Sequence, residues 1–132
     1  QHPVRAYLKK RGLSDETIET FQIGYAIADW DGLEKHLVYH GMSLEAAEEA
    51  KLLRARTQGK SGYYDLFRDR LMFPITNPMG EPVAFGGRII DQGEPKYLNS
   101  PESPVFIKGK ILYVLNQTAR YIRTEDRALI VE

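Results

Sequence analysis

An α+β fold, with short helices packed on a mixed, mainly antiparallel sheet, is what these 132 residues predict. Two observations carry the prediction: helical spacing and caps fill the first half, and extended, turn-punctuated runs fill most of the second. A late helical stretch and a closing apolar run complete the pattern.

Taken in order, His2-Pro3 followed by Val4, Tyr7 and Leu8, with Gly12 beyond a basic last turn, marks a first short helix. Ser14 is a good N-cap for a second, Asp15 and Glu16 suit the positive end of its dipole, and Ile18 and Phe21 mark its apolar face. Asp31 to His40 forms a third, stopped by Gly41, with Trp30 as a packing anchor beside the helix cap. Ser43 opens a fourth, running through Ala46, Ala47 and Ala50. From Leu71 the chain reads as a hairpin: Leu-Met-Phe-Pro-Ile, the turn Asn77 to Pro82, then Val83 to Ile90. Pro74 cannot donate to a ladder and should put its strand at an edge or a bulge. After an irregular stretch, Leu112, Leu115, Ala119 and Ile122 give helical spacing over Ile111 to Arg123, and Arg127 to Glu132 reads as a strand. There is no internal repeat.

The length allows one modest core and at most a piece of a second domain. An apolar fraction of 42% and a charged fraction of 27% are ordinary for a globular chain, and no run is apolar enough to span a bilayer. With no cysteine there is neither a disulfide framework nor a thiolate zinc site, and the expected compartment is the cytoplasm. Gln1 is not a natural start and the last strand stops uncovered, so both ends read as cuts within a longer chain. His2, His36 and His40 lack the spacing of a complete metal site.

A net charge of zero, taken alone, argues against a nucleic-acid partner; the distribution argues the other way. Residues 1–50 hold five Lys and Arg against nine acids, whereas residues 51–70 hold six (Lys51, Arg54, Arg56, Lys60, Arg68, Arg70) against Asp65 and Asp69. A second basic series, Arg88, Lys96, Lys108 and Lys110, is punctuated by glycines and aromatics and not by a run of acids. The series fits either a solvated mixed surface or a binding face.

Three segments have the chemistry for a site. Phe85-Gly86-Gly87-Arg88 puts two glycines inside a strand, which means either a bulge or the close approach of another group. Pro95-Lys96-Tyr97-Leu98-Asn99-Ser100-Pro101-Glu102 offers a cation, a ring and an amide on a loop, fitting either phosphate contact with base stacking or an ordinary turn. Phe106-Ile107-Lys108-Gly109-Lys110 sets two lysines around a glycine before a helix, where free amides favour a phosphate.

In their order, with Arg68-Asp69-Arg70-Leu71-Met72-Phe73-Pro74-Ile75 ahead of them, these segments resemble the catalytic core of bacterial DNA primases. The resemblance begins at Tyr7-Leu8-Lys9-Lys10-Arg11-Gly12-Leu13, passes through Ile23-Gly24-Tyr25-Ala26 and reaches Leu129-Ile130-Val131-Glu132, loosening only between Asp29 and Gly62. It implies a basic amino-terminal subdomain over residues 1–125, leading at 126–132 into the first strand of a truncated Toprim fold. It further implies that Arg11, Arg68, Arg70, Arg88, Lys96, Tyr97, Asn99 and Lys108 line a groove for single-stranded DNA template and incoming NTPs. Glu132 is similar to the glutamate that, with a later Asp-x-Asp element, holds Mg²⁺ or Mn²⁺ for nucleotidyl transfer to an RNA primer; a strand-end carboxylate in water is its plainer reading. Zinc, on this resemblance, belongs to a separate amino-terminal domain, and the replicative helicase contact to a carboxy-terminal one. The fragment is expected to bind more than to catalyse. A non-catalytic module from a phage or plasmid relative, gripping single-stranded DNA or a regulatory nucleotide, is the alternative.

Overall fold

The computed structural model describes residues 3–57, 59 and 61–131. Helix α1 (Pro3–Lys10) ends where Gly12 takes φ 83, a left-handed turn that lets the Leu13 amide reach back to the Leu8 carbonyl at 3.1 Å. Helix α2 (Asp15–Thr20) is capped as its sequence demands, the Ser14 hydroxyl accepting from the Thr17 amide at 3.1 Å. Strand β1 (Gly24–Ala26) follows, then helices α3 (Gly32–Tyr39) and α4 (Leu44–Glu49), the latter capped by the Ser43 hydroxyl. Strands β2 (Leu53–Ala55) and β3 (Tyr63–Asp65) make a small hairpin. Strands β4 (Arg70–Thr76), β5 (Pro82–Ile89) and β6 (Tyr97–Asn99) and helix α5 (Leu115–Glu125) complete the order.

The main sheet runs β1-β4-β5-β6, and the class is α+β. The sheet, expected to be mainly antiparallel, is antiparallel in every pairing among the described residues. Pro74 lies in the long hairpin opposite Phe85, in a strand that is interior at one end only: β1 pairs with Arg70, Leu71 and Met72 and stops short of the proline. Gln22 turns the chain away there with φ 49, so no partner asks Pro74 for the amide hydrogen it lacks. The ladder slips just beyond, between Ile75 and Thr76.

Two hydrophobic clusters hold these layers. On one face of the sheet, Val4 and Leu8 of α1 pack on Leu71, with Ile18, Tyr25 and Phe73 around them. Away from it, Leu37 of α3, Ala47 of α4 and Leu53 of β2 close a second cluster. The glycines of β5 are explained by close approach: a Cβ on Gly87 would stand 2.9 Å from Phe67 Cδ1 and 3.0 Å from Arg70 Cδ. No bulge falls at Gly86 or Gly87.

One expectation fails. The late helix begins at Leu115 and not at Ile111, because Val114 takes φ 56, a conformation that a right-handed helix cannot run through. Residues 127–131 are unpaired among the described residues, and Leu129 is 97% exposed.

Strand β1 is also tied to the β3–β4 connection through an ionisable pair. Tyr25 donates its hydroxyl to Asp69 Oδ1 at 2.5 Å. That bond, then burial, then the Asp69 charge push the phenol from 10.0 up to about 12. A pKa raised by folding means that the protonated phenol stabilises the fold in full below about pH 10, and that this contribution is lost as pH climbs through 12. Tyr25→Phe is therefore expected to flatten the fall in thermal stability between those values. An unchanged alkaline slope would remove this pair as its cause.

Candidate nucleic-acid interface

Strand register fixes which candidate side chains share a surface. Leu71, Arg88 and Tyr97 lie in one row across β4, β5 and β6, so their side chains leave the same face of the sheet. Asn99, two residues along β6, joins that face opposite Gly86, where an added Cβ would come within 3.2 Å of the amide oxygen. Gly86 thus leaves room for the Asn99 carboxamide.

Tyr97 is 60% exposed and flanked by charge: the Arg88 guanidinium lies 5.4 Å and the Lys96 ammonium 5.9 Å from its ring centroid. Arg88 Nε is buried without a hydrogen-bond partner. An exposed ring between two cations is a platform on which a base can stack while its phosphate is neutralised. These residues were expected on a loop, but Tyr97–Asn99 is the edge strand β6, anchored by the Ile89 amide on the Lys96 carbonyl and the Ser100 amide on the Phe85 carbonyl. Pairing with β5 holds the ring more rigidly than a loop would. Three residues are too few for alternation to reveal such a strand in sequence.

Arg11 follows α1, the helix that covers this same face at Leu71, and is exposed. Lys108 is exposed in the 3-10 turn Lys108–Lys110, and no hydrogen bond, ion pair or ring contact among the described residues ties it to Tyr97. Arg70 occupies the opposite face, one register position from Leu71 and beside Gly87. It is 6% exposed, and burial followed by the neighbouring Arg68 charge pushes its pKa down, with Asp69 opposing. Arg68 donates from Nη1 to the Asp65 carbonyl and stacks 4.0 Å over Trp30. The candidate cations therefore divide between two faces. Glu132 lies outside the described residues, as do Lys60 and His2.

Trp30 is 60% exposed and packs against Arg68 and Tyr64 at the surface, not in a core. The cap of α3 comes from a distant residue. Asp31, at the N-cap position, makes no side-chain cap; Asp65 of β3 reaches in, accepting from the Leu33 amide at 2.7 Å and the Glu34 amide at 3.1 Å. The His36 and His40 rings stand 4.4 Å apart, and the described residues include no group of three or more His, Asp or Glu able to hold a metal. Arg54, which sequence reasoning counted only as charge, lines the cavity beside Arg70; its register partner Tyr64 would have flagged it had β2 and β3 been foreseen.

A model of the family described as "DNA primase catalytic core, N-terminal domain" matches residues 1–119. A DNA primase of Halalkalibacterium halodurans is 49% identical over 129 residues, covering 97% of this chain and 21% of that protein. The RNA polymerase domain of a Mycobacterium tuberculosis primase, solved with a double-stranded DNA oligomer bearing a 6-nucleotide overhang, superposes with TM-score 0.89 at 36% identity. That likeness covers 99% of this chain and 41% of the solved one. A primase catalytic domain bound to single-stranded DNA superposes with TM-score 0.78 at 40% identity, covering 91% and 37%. The chain spans about a fifth of the length of the curated relatives it matches.

Proposed function

This chain belongs to the family of DNA primase catalytic-core N-terminal domains, and from that premise we propose that it is the template- and nucleotide-handling part of an enzyme that synthesises short RNA primers on single-stranded DNA. The observation that carries the reading is Tyr97, exposed on an edge strand between Arg88 and Lys96, with Asn99 on the same face. In this assignment Tyr97 stacks on a base without reading it, and Asn99 hydrogen-bonds a sugar or a phosphate. Arg11 and Arg88 present planar forks to phosphates, whereas Lys96 and Lys108 are adaptable charges that follow a triphosphate.

In the parent enzyme a divalent ion, Mg²⁺ or Mn²⁺, would supply polarisation of the triphosphate. Glu132 is its proposed ligand here. In this reading the chain's own part is to bind and orient the strand and the nucleotide. The proposed boundary of this subdomain falls after α5, where Asp126 takes φ 48; residues 126–132 then pair as a first Toprim strand with strands contributed by the rest of the parent. NTPs, the RNA primer and the replicative helicase belong to the parent's proposed partners, and the cytoplasm to its proposed location. No described helix is long and apolar enough to cross a membrane.

The test is fluorescence anisotropy with a labelled single-stranded oligonucleotide at rising salt. Affinity is expected to fall with log salt by about 0.7 log units per phosphate engaged, because condensed counterions are released. Salt-independent binding would overturn the reading. Primer synthesis from NTPs by the parent separates a polymerase from a module that only grips a strand.

A further inference from the structure

The lobe built from α3, α4 and the small hairpin presents a surface that strand handling leaves unused. Tyr39 is 85% exposed, Val38 59% and Met42 57%. Gly41, at φ 65, gathers them: it turns the chain so that the Met42 amide bonds back to the Leu37 carbonyl at 2.9 Å, setting Met42 beside the last turn of α3. The Tyr39 ring meets His40 edge-on at 5.1 Å, and His40 lies 4.4 Å from His36. Apolar side chains scattered singly over a surface need no explanation, but three large ones gathered at one helix end do.

The surroundings are acidic. Residues 29–50 carry Asp29, Asp31, Glu34, Glu45, Glu48 and Glu49 against one Lys or Arg, Lys35, which Asp31 holds at 2.8 Å. Glu45 and Glu49 are exposed one turn apart on α4, a helix that starts two residues beyond Met42. Such a surface repels a phosphate backbone and an anionic membrane alike. A protein segment that carries Lys or Arg beside an apolar anchor complements both of its features.

We propose that the α3–α4 face docks a cationic protein segment, its apolar anchor seated on Val38, Tyr39 and Met42 and its Lys or Arg side chains against Glu45 and Glu49. None of these five residues belongs to the strand-binding set, so the two functions are separable by mutation.

The probe is a helical peptide built of leucine and lysine, titrated into the isotope-labelled chain while backbone amide shifts are followed. Shifts are expected in α3, the Gly41–Met42 turn and α4, with those of β6 unmoved. Tyr39→Ala should weaken binding about tenfold, as loss of a central aromatic anchor does. Because that ring is 85% exposed, the variant should melt at the temperature of the unsubstituted chain. Glu45→Gln combined with Glu49→Gln should weaken binding about threefold and flatten its salt dependence. Tyr97→Ala should leave it unchanged. Full affinity in Tyr39→Ala, or equal binding of a peptide with serine in place of leucine, overturns the docking face, since charge alone then accounts for the binding. Self-association of the chain that Tyr39→Ala abolishes makes a second copy the occupant and overturns the cationic partner. Equal shifts of these amides on adding a dT oligonucleotide overturn it likewise.

Discussion

Tyr97→Ala is expected to weaken binding of a single-stranded oligonucleotide by about tenfold, within the roughly 1–3 kcal/mol that one base–aromatic stack is worth. The ring is 60% exposed, so its removal creates no cavity, and thermal unfolding should stay within about 0.5 kcal/mol of the parent. Tyr97→Phe should retain most of the affinity, because the stack needs the ring face and not the hydroxyl. A loss as large in Tyr97→Phe would assign the effect to the hydroxyl instead. Arg88→Ala removes a phosphate fork together with the cation beside the ring, and its loss should shrink as salt rises, which the loss from Tyr97→Ala should not.

Asp65→Ala is expected to be the most damaging single change to stability, by about 3 kcal/mol, lowering the melting temperature by roughly 10 °C. The carboxylate is 3% exposed and closes the first turn of α3 from another part of the chain, accepting the Leu33 and Glu34 amides. Without it, amides at the positive end of a helix lose acceptors in a site that water enters poorly. Asp31→Ala, in contrast, removes a solvent-screened ion pair with Lys35 at 2.8 Å and should change stability far less than Asp65→Ala. Equal losses in the two variants, measured by thermal or urea unfolding, would refute the long-range cap.

That contrast marks where the sequence was legible. Ser14 and Ser43 cap helices three residues downstream, an interaction that local sequence states directly, and both form. The long hairpin was visible because Leu71 to Ile75 and Val83 to Ile90 flank a turn rich in Asn, Pro and Gly. Asp65 could not be paired with α3 because that cap depends on the β2–β3 hairpin, whose strands have three residues each and display no period. The same blindness hid β6 and, with it, the division of cations. Arg68, Arg70 and Arg88 form one basic series along the chain, and only the pairing of Leu71 with Arg88 reveals that Arg70 and Arg88 leave opposite sides of a sheet. Trp30, read as a packing anchor beside the helix cap, does pack there, but at the surface, where its partners are a guanidinium and the Tyr64 ring.

The two hydrophobic clusters share no residue: one joins α1 to the sheet, the other joins α3, α4 and the small hairpin. Each body carries its own ties: the Asp69 amide on the Ile27 carbonyl closes the first, and Asp65 closes the second through its amide on the Trp30 carbonyl and its carboxylate on the Leu33 and Glu34 amides. Such a molecule opens in parts. Amides of α3 and α4 should exchange with solvent through a local opening of lower free energy than those of β4 and β5. Asp65 ties the small hairpin to α3, so Asp65→Ala should speed exchange in α3 while leaving that of β4 and β5 unchanged.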